Sequence, residues 1–155
     1  MNCTGQHGRP PRLTTVFVAD PIYFVTFCTW QKIPLFANLD VDNAFCQAAC
    51  DVQGHAVAVG KYVIMPDHVH CFIRVGREGR IGLAVKGLKR AITKVVHATQ
   101  NNARVWQEGF FDHILRSSES YSEKWKYVRA NPVRAGLARS VEEWPYQGEV
   151  EMLRW

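Results

Sequence analysis

The sequence predicts an α+β domain of order β-α-β-β-α-β, with one more helix towards the C-terminus. Three observations carry that expectation. Residues 22–30 and 68–75 are runs of β-branched and aromatic side chains, apolar on nearly both faces, as strands inside a sheet must be. Stretches with apolar residues at helical spacing, 38–53 and 82–100, separate the strand-like runs. Pro66-Asp67 sits between two apolar runs and turns the chain tightly.

The chain of 155 residues suits a single domain over 1–155 with a sizeable core. An apolar share of 47% and a charged share of 21% fit an ordinary globular protein rather than a disordered one. No apolar run approaches the roughly 20 residues that span a bilayer, and the first residues lack the apolar core of a signal peptide. The expected compartment is therefore the cytoplasm, with no membrane partner. Five cysteines without a CxxC pair are expected to be free and mostly buried there. The net charge of +5 allows a phosphate-rich partner without requiring one.

Taken in order, residues 1–15 are rich in Gly, Pro and Arg and read as a flexible basic arm, with Arg12 a candidate nucleic-acid contact. The first strand, 22–30, presents Tyr23, Val25 and Phe27 on one face and Phe24, Cys28 and Trp30 on the other. A helix over 38–53 is capped by Asn38 or Asp40, carries Val41, Phe45, Ala48, Ala49 and Val52 as its stripe, and stops at Gly54. The second strand, 55–65, contains Gly60, a position for a bulge. The third, 68–75, puts His68, His70, Phe72 and Arg74 on one face and four apolar side chains on the other. The helix over 82–100 buries Leu88, Ile92, Val95 and Val96. Its Lys86, Arg90 and Lys94 share one side with Lys89 beside them, either a solvated face or a ridge for a phosphate backbone. Residues 105–115 predict a last strand interrupted at Gly109. A helix over 118–131 follows, with Ser120 and Glu123 as a capping box and Pro132 ending it. This order is that of a ferredoxin-like sandwich, in which the first and third strands form the central pair.

His68 and His70 place two imidazoles side by side on a stiff support. That is half of a metal site, although core packing also produces such pairs. Tyr127 lies at the shoulder of the last helix, and Asn131 stands four residues on, on the same face. If both face the histidines, the site holds two imidazoles, an amide oxygen and a phenol. Such donors suit Mg²⁺ or Mn²⁺ with open positions. The phenol would attack phosphorus in a phosphodiester and form a phosphotyrosine ester that a free hydroxyl can reseal.

The segments YFVTFCTW, YVIMPDHVHCFIRV, VWQEGFFDHILRS and KWKYVRANPVRAGL, in this order and spacing, resemble the HUH single-tyrosine transposases, nearest the REP-associated branch. The resemblance covers roughly residues 20 to 140. It implies a ferredoxin-like enzyme that binds single-stranded or hairpin DNA and cuts it with a divalent metal. His68 and His70 match the metal ligands. Tyr127 matches the nucleophile that forms a 5′-phosphotyrosine link, and Asn131 matches a third ligand that is glutamine in the insertion-sequence branch. Arg116 and Arg134 are candidates for holding phosphates or buttressing the helix, and His113 for a supporting group. Phe72 and Trp106 are candidates for stacking on bases.

Three functions compete at this point. The first is a DNA strand transferase acting through Tyr127, as monomer or homodimer. The second is a hairpin-binding module without chemistry. The third is a small metal hydrolase built on the histidine pair, whose turnover would survive loss of Tyr127.

Overall fold

A computed structural model describes residues 20–52, 56–101 and 103–155. The elements are β1 (Ile22–Cys28), α1 (Leu39–Val52), β2 (Val57–Met65), β3 (His68–Val75), α2 (Ile81–Thr99), β4 (Phe111–Ile114), α3 (Ser118–Arg129), α4 (Asn131–Arg134) and β5 (Gln147–Glu149). The five strands form one antiparallel sheet in the order β4-β1-β3-β2-β5. The two most apolar runs of the sequence are thus the paired inner strands, as expected.

Two cores flank this sheet. On one face, Val25, Phe27, Val69, Cys71 and Ile73 meet the stripes of α1 and α2, including Phe45, Leu88 and Ile92. Burying each such large side chain contributes about 1.5–3 kcal/mol. On the other face, Phe24, Phe72 and Val63 meet Tyr121 and Val128 of α3 and Trp144 of the C-terminal tail. The C-terminal helix therefore folds back onto its own chain's sheet. Trp144 is anchored there by donating its indole N–H to the Ile64 carbonyl at 3.0 Å.

Asn38 caps α1, accepting the Val41 N–H at 3.0 Å, while Gly54, His55 and the basic arm with Arg12 lie outside the described residues. The β2–β3 register slips between Val59 and Tyr62, beside Gly60. A Cβ on Gly60 would come within 2.7 Å of the Leu153 side chain, so the tail crosses β2 where only glycine leaves room.

Four expectations need correction. The last predicted strand shrinks to four residues. Gly109 has φ +73, and Lys89 takes the carbonyls of Gln107 and Gly109 at 3.4 and 2.5 Å, and among the described residues upstream of Gly109 the ladder is reduced to an isolated bridge of Trp106 to Thr29. The helix over 118–131 breaks at Ala130 and restarts as the short α4, because Pro132 lacks an N–H and fits a first turn, not an interior. Its N-cap is Ser117, accepting from the Ser120 N–H at 3.0 Å, rather than Ser120 itself. Cys28 is disulfide-bonded, whereas Cys46, Cys50 and Cys71 are free; Cys71 alone of these is buried. Strand β5, at the β2 edge, was not foreseen. Among the described residues no helix is long and apolar enough to cross a membrane.

Candidate active site

The third strand fixes where the histidines point. Cross-strand partners share a face, and β1 pairs with β3 so that Cys28 opposes His68, Thr26 opposes His70 and Phe24 opposes Phe72. All six side chains therefore project to the face that α1 and α2 leave open. His70 is buried, with 1% of its surface exposed, and stacks on Phe24 with ring centroids 5.3 Å apart. His68 is partly buried and meets the His70 ring edge-on at 4.6 Å.

Each imidazole is anchored through the same nitrogen. His70 Nδ1 lies 2.7 Å from Thr26 Oγ1, and His68 Nδ1 lies 2.6 Å from Asp67 Oδ1. With Nδ1–H donated to these oxygens, each ring keeps its Nε2 lone pair for another partner. His70 Nε2 is buried and has no hydrogen-bond partner among the described residues. An unpaired buried ring nitrogen is costly unless something binds it, and an oxygen on Nδ1 is the usual support of a metal-binding imidazole. Burial holds His70 well below the ordinary histidine range, helped by the charges of His68, Lys124 and Arg134. Burial also lowers His68, with Asp67 working the other way. Both rings are accordingly neutral at neutral pH, the form a metal needs. Among the described residues no group of three His, Cys, Asp or Glu side chains could hold a metal. The donors here fit a divalent cation only if a neutral oxygen, such as an amide, completes them.

Tyr127 and Asn131 stand on either side of the Ala130 break, so they do not share one continuous helix. Tyr127 is 49% exposed. Its ring lies under the Arg134 guanidinium, with 4.0 Å from the guanidinium carbon to the ring centroid. Arg134 also donates to the Tyr127 carbonyl at 2.8 Å and to Asn131 Oδ1. Helix α3 packs on the histidine face: Tyr121 and Trp125 meet Phe72 at 4.7 and 6.2 Å. Lys124 Nζ sits 5.2 Å from the centre of the Phe24 ring that stacks on His70.

The other candidates divide by layer. Lys86, Arg90 and Lys94 are exposed on α2, which packs on the opposite face of the sheet from the histidines. Lys89 is turned inward to Gly109 and the Trp106 ring, and burial lowers its amine to about 8. Arg116 is exposed between β4 and α3. His113 is exposed on β4, opposite Phe24. Phe72 is fully buried in the core, and Trp106 is half-buried and packs against Phe36 at 4.7 Å. Sequence reasoning does not single out Thr26 and Asp67, which contact the two rings, or Lys124 beside Phe24. Thr26 did leave a signal, a lone hydroxyl inside an otherwise apolar strand.

Comparison with known proteins agrees with this architecture. The solved structure of a REP-associated tyrosine transposase bound to a REP hairpin superposes with a TM-score of 0.69 at 19% identity, covering 89% of this chain and 82% of that one. At that identity the likeness is one of fold. A REP-associated tyrosine transposase of Escherichia coli (strain K12) is 27% identical over 88 residues, 57% of this chain and 52% of the relative. An uncharacterised protein of Haemophilus influenzae (strain ATCC 51907 / DSM 11121 / KW20 / Rd) is 24% identical over 160 residues, covering 82% of this chain and 89% of that protein. The sequence model of the family described as transposase IS200-like matches residues 18–131, from just before β1 to the start of α4. Most of the chain and both halves of the candidate site fall within that match, and the chain belongs to the IS200-like transposase family.

Proposed function

We propose that this protein is a metal-dependent transposase that cleaves and rejoins single-stranded or hairpin DNA through a 5′-phosphotyrosine intermediate on Tyr127. The observation that carries the reading is the pair of imidazoles tied at Nδ1, with His70 Nε2 buried and without a hydrogen-bond partner among the described residues. His68, His70 and the Asn131 amide oxygen would hold Mg²⁺ or Mn²⁺. When bound, such an ion offsets charge on the phosphodiester as the transition state forms. The Tyr127 oxygen attacks phosphorus and the bond from phosphorus to the 3′ oxygen breaks. The phenol gives up its proton and the leaving oxygen takes one up, ending as a free 3′-hydroxyl. Attack by a 3′-hydroxyl on the ester runs the same exchange backwards and releases the tyrosine. Folding of α3 onto its own sheet supports a tyrosine acting within one chain. Hairpin DNA as partner is supported by the hairpin carried by the solved relative.

The test is incubation with Mn²⁺ and single-stranded DNA containing a hairpin, followed by a denaturing gel. A covalent adduct is expected, and Tyr127→Phe should abolish it. Hairpin binding with no adduct across a broad panel of sequences would leave a binding module. Turnover that survives Tyr127→Phe would point to a metal hydrolase instead.

A further inference from the structure

We infer that Arg134 is a positioning residue that ties Tyr127 and Asn131 into one unit across the helix break, so that phenol and amide approach the histidines together. The inference rests on the tyrosine chemistry proposed above. Three observations lead to it. Helix α3 ends at Arg129 and α4 begins at Asn131, with Ala130 between them at φ −85 and ψ −5, so Tyr127 and Asn131 lie on separate helical segments. Arg134 bridges that break three times, through the Tyr127 ring, the Tyr127 carbonyl and Asn131 Oδ1. It is the one side chain among the described residues that makes a hydrogen bond or a cation–π contact with Tyr127.

The chemistry of the side chain fits this task. A guanidinium is flat and can stack on a ring while its edge donates two hydrogen bonds, whereas an ammonium cannot do both. The amide oxygen has two lone pairs, so Asn131 can accept from Arg134 and still offer one to a cation. A half-exposed tyrosine without this clamp would sample several rotamers, and loss of positioning of about 1 Å costs on the order of 10²-fold in rate.

Arg134→Lys and Arg134→Ala separate positioning from simple phosphate attraction. The rate of adduct formation at saturating hairpin should fall about 10²-fold in both variants, while hairpin Kd changes by less than about threefold, because positioning is separate from binding. A lysine variant that keeps the rate, or a loss confined to Kd, would overturn the inference and leave a phosphate contact. A second measurement does not depend on activity. In protein labelled with 3-fluorotyrosine, the resonance that disappears in Tyr127→Phe identifies the ring. It should lie away from the free fluorotyrosine position and move to it in Arg134→Ala and Arg134→Lys. An unmoved resonance in Arg134→Ala overturns the clamp. If the wild-type protein forms no adduct at all, the proposed chemistry fails, and the resonance alone decides whether Arg134 holds the tyrosine.

Discussion

Thr26 and Asp67 do the same work on two neighbouring rings. Each fixes an imidazole by its Nδ1, so that each ring keeps its Nε2 for another partner. Removing such an oxygen from behind a metal-binding histidine typically weakens the metal by 10–100-fold. Thr26→Val keeps the shape of the side chain and deletes the hydroxyl. Titration calorimetry with Mn²⁺ should show Kd rising by about that factor, with adduct formation restored at higher Mn²⁺. An unchanged Kd would mean that Thr26 does not orient the ring or that the pair does not bind metal. The two rings themselves set a pH dependence. Both rings have their pKa lowered by burial, so the unfolded chain takes up protons first as pH falls. Their neutral-state stability is fully present above the unfolded value, about 6.5, and is lost as pH falls towards the folded value. Stability against urea without added metal should therefore fall below about pH 6.5, by at most about 1.4 kcal/mol per pH unit for each ring. His70→Gln, which does not titrate, should flatten that slope; an equal slope in the variant would contradict the assignment.

At the level of elements, the site depends on how α3 is started and stopped. Ser117 starts it, and the side-chain oxygen accepts the Ser120 N–H. Loss of such a cap costs about 1 kcal/mol. Ser117→Ala should destabilise the protein by roughly that amount in urea unfolding, while Ser120→Ala, which keeps the cap acceptor, should cost less. The reverse order would restore the capping box expected from Ser120 and Glu123. This small error shows where the sequence stopped being legible. Strands β1 and β3, helices α1 and α2, the Asn38 cap and the Gly60 bulge all follow from local patterns of side chains. The histidine face follows as well, because alternation in a strand is rigid. What failed were features decided by distant partners. Lys89 reaches across to the carbonyls around Gly109 and shortens β4. Pro132 restarts a helix instead of only ending one, so Tyr127 and Asn131 lie on separate segments, both contacted by Arg134. Strand β5 forms because Gly60 lets the tail approach β2, and no periodicity announces that.

For the whole molecule, the sheet separates two sets of cations. Lys86, Arg90 and Lys94 are exposed on α2, beyond one core, whereas Lys124 lies with α3 over the other. The sheet and the α2 core lie between the α2 ridge and a strand seated on the histidines. Sequence spacing could identify both sets as basic but not assign them to opposite layers. Salt dependence can tell them apart, since each phosphate contact contributes about 0.7 to the slope of log K against log salt for single strands and about 0.9 for duplex. With the hairpin that yields the adduct, Lys124→Gln should reduce the slope by about one contact. The triple variant Lys86→Gln, Arg90→Gln, Lys94→Gln should leave slope and adduct rate close to those of the unaltered protein. If the triple variant instead flattens the slope by two or three contacts, the DNA wraps around the molecule and the α2 ridge is part of its path. If neither variant changes it, the bound strand lies elsewhere on the surface, and the histidine face loses its claim to the scissile phosphate.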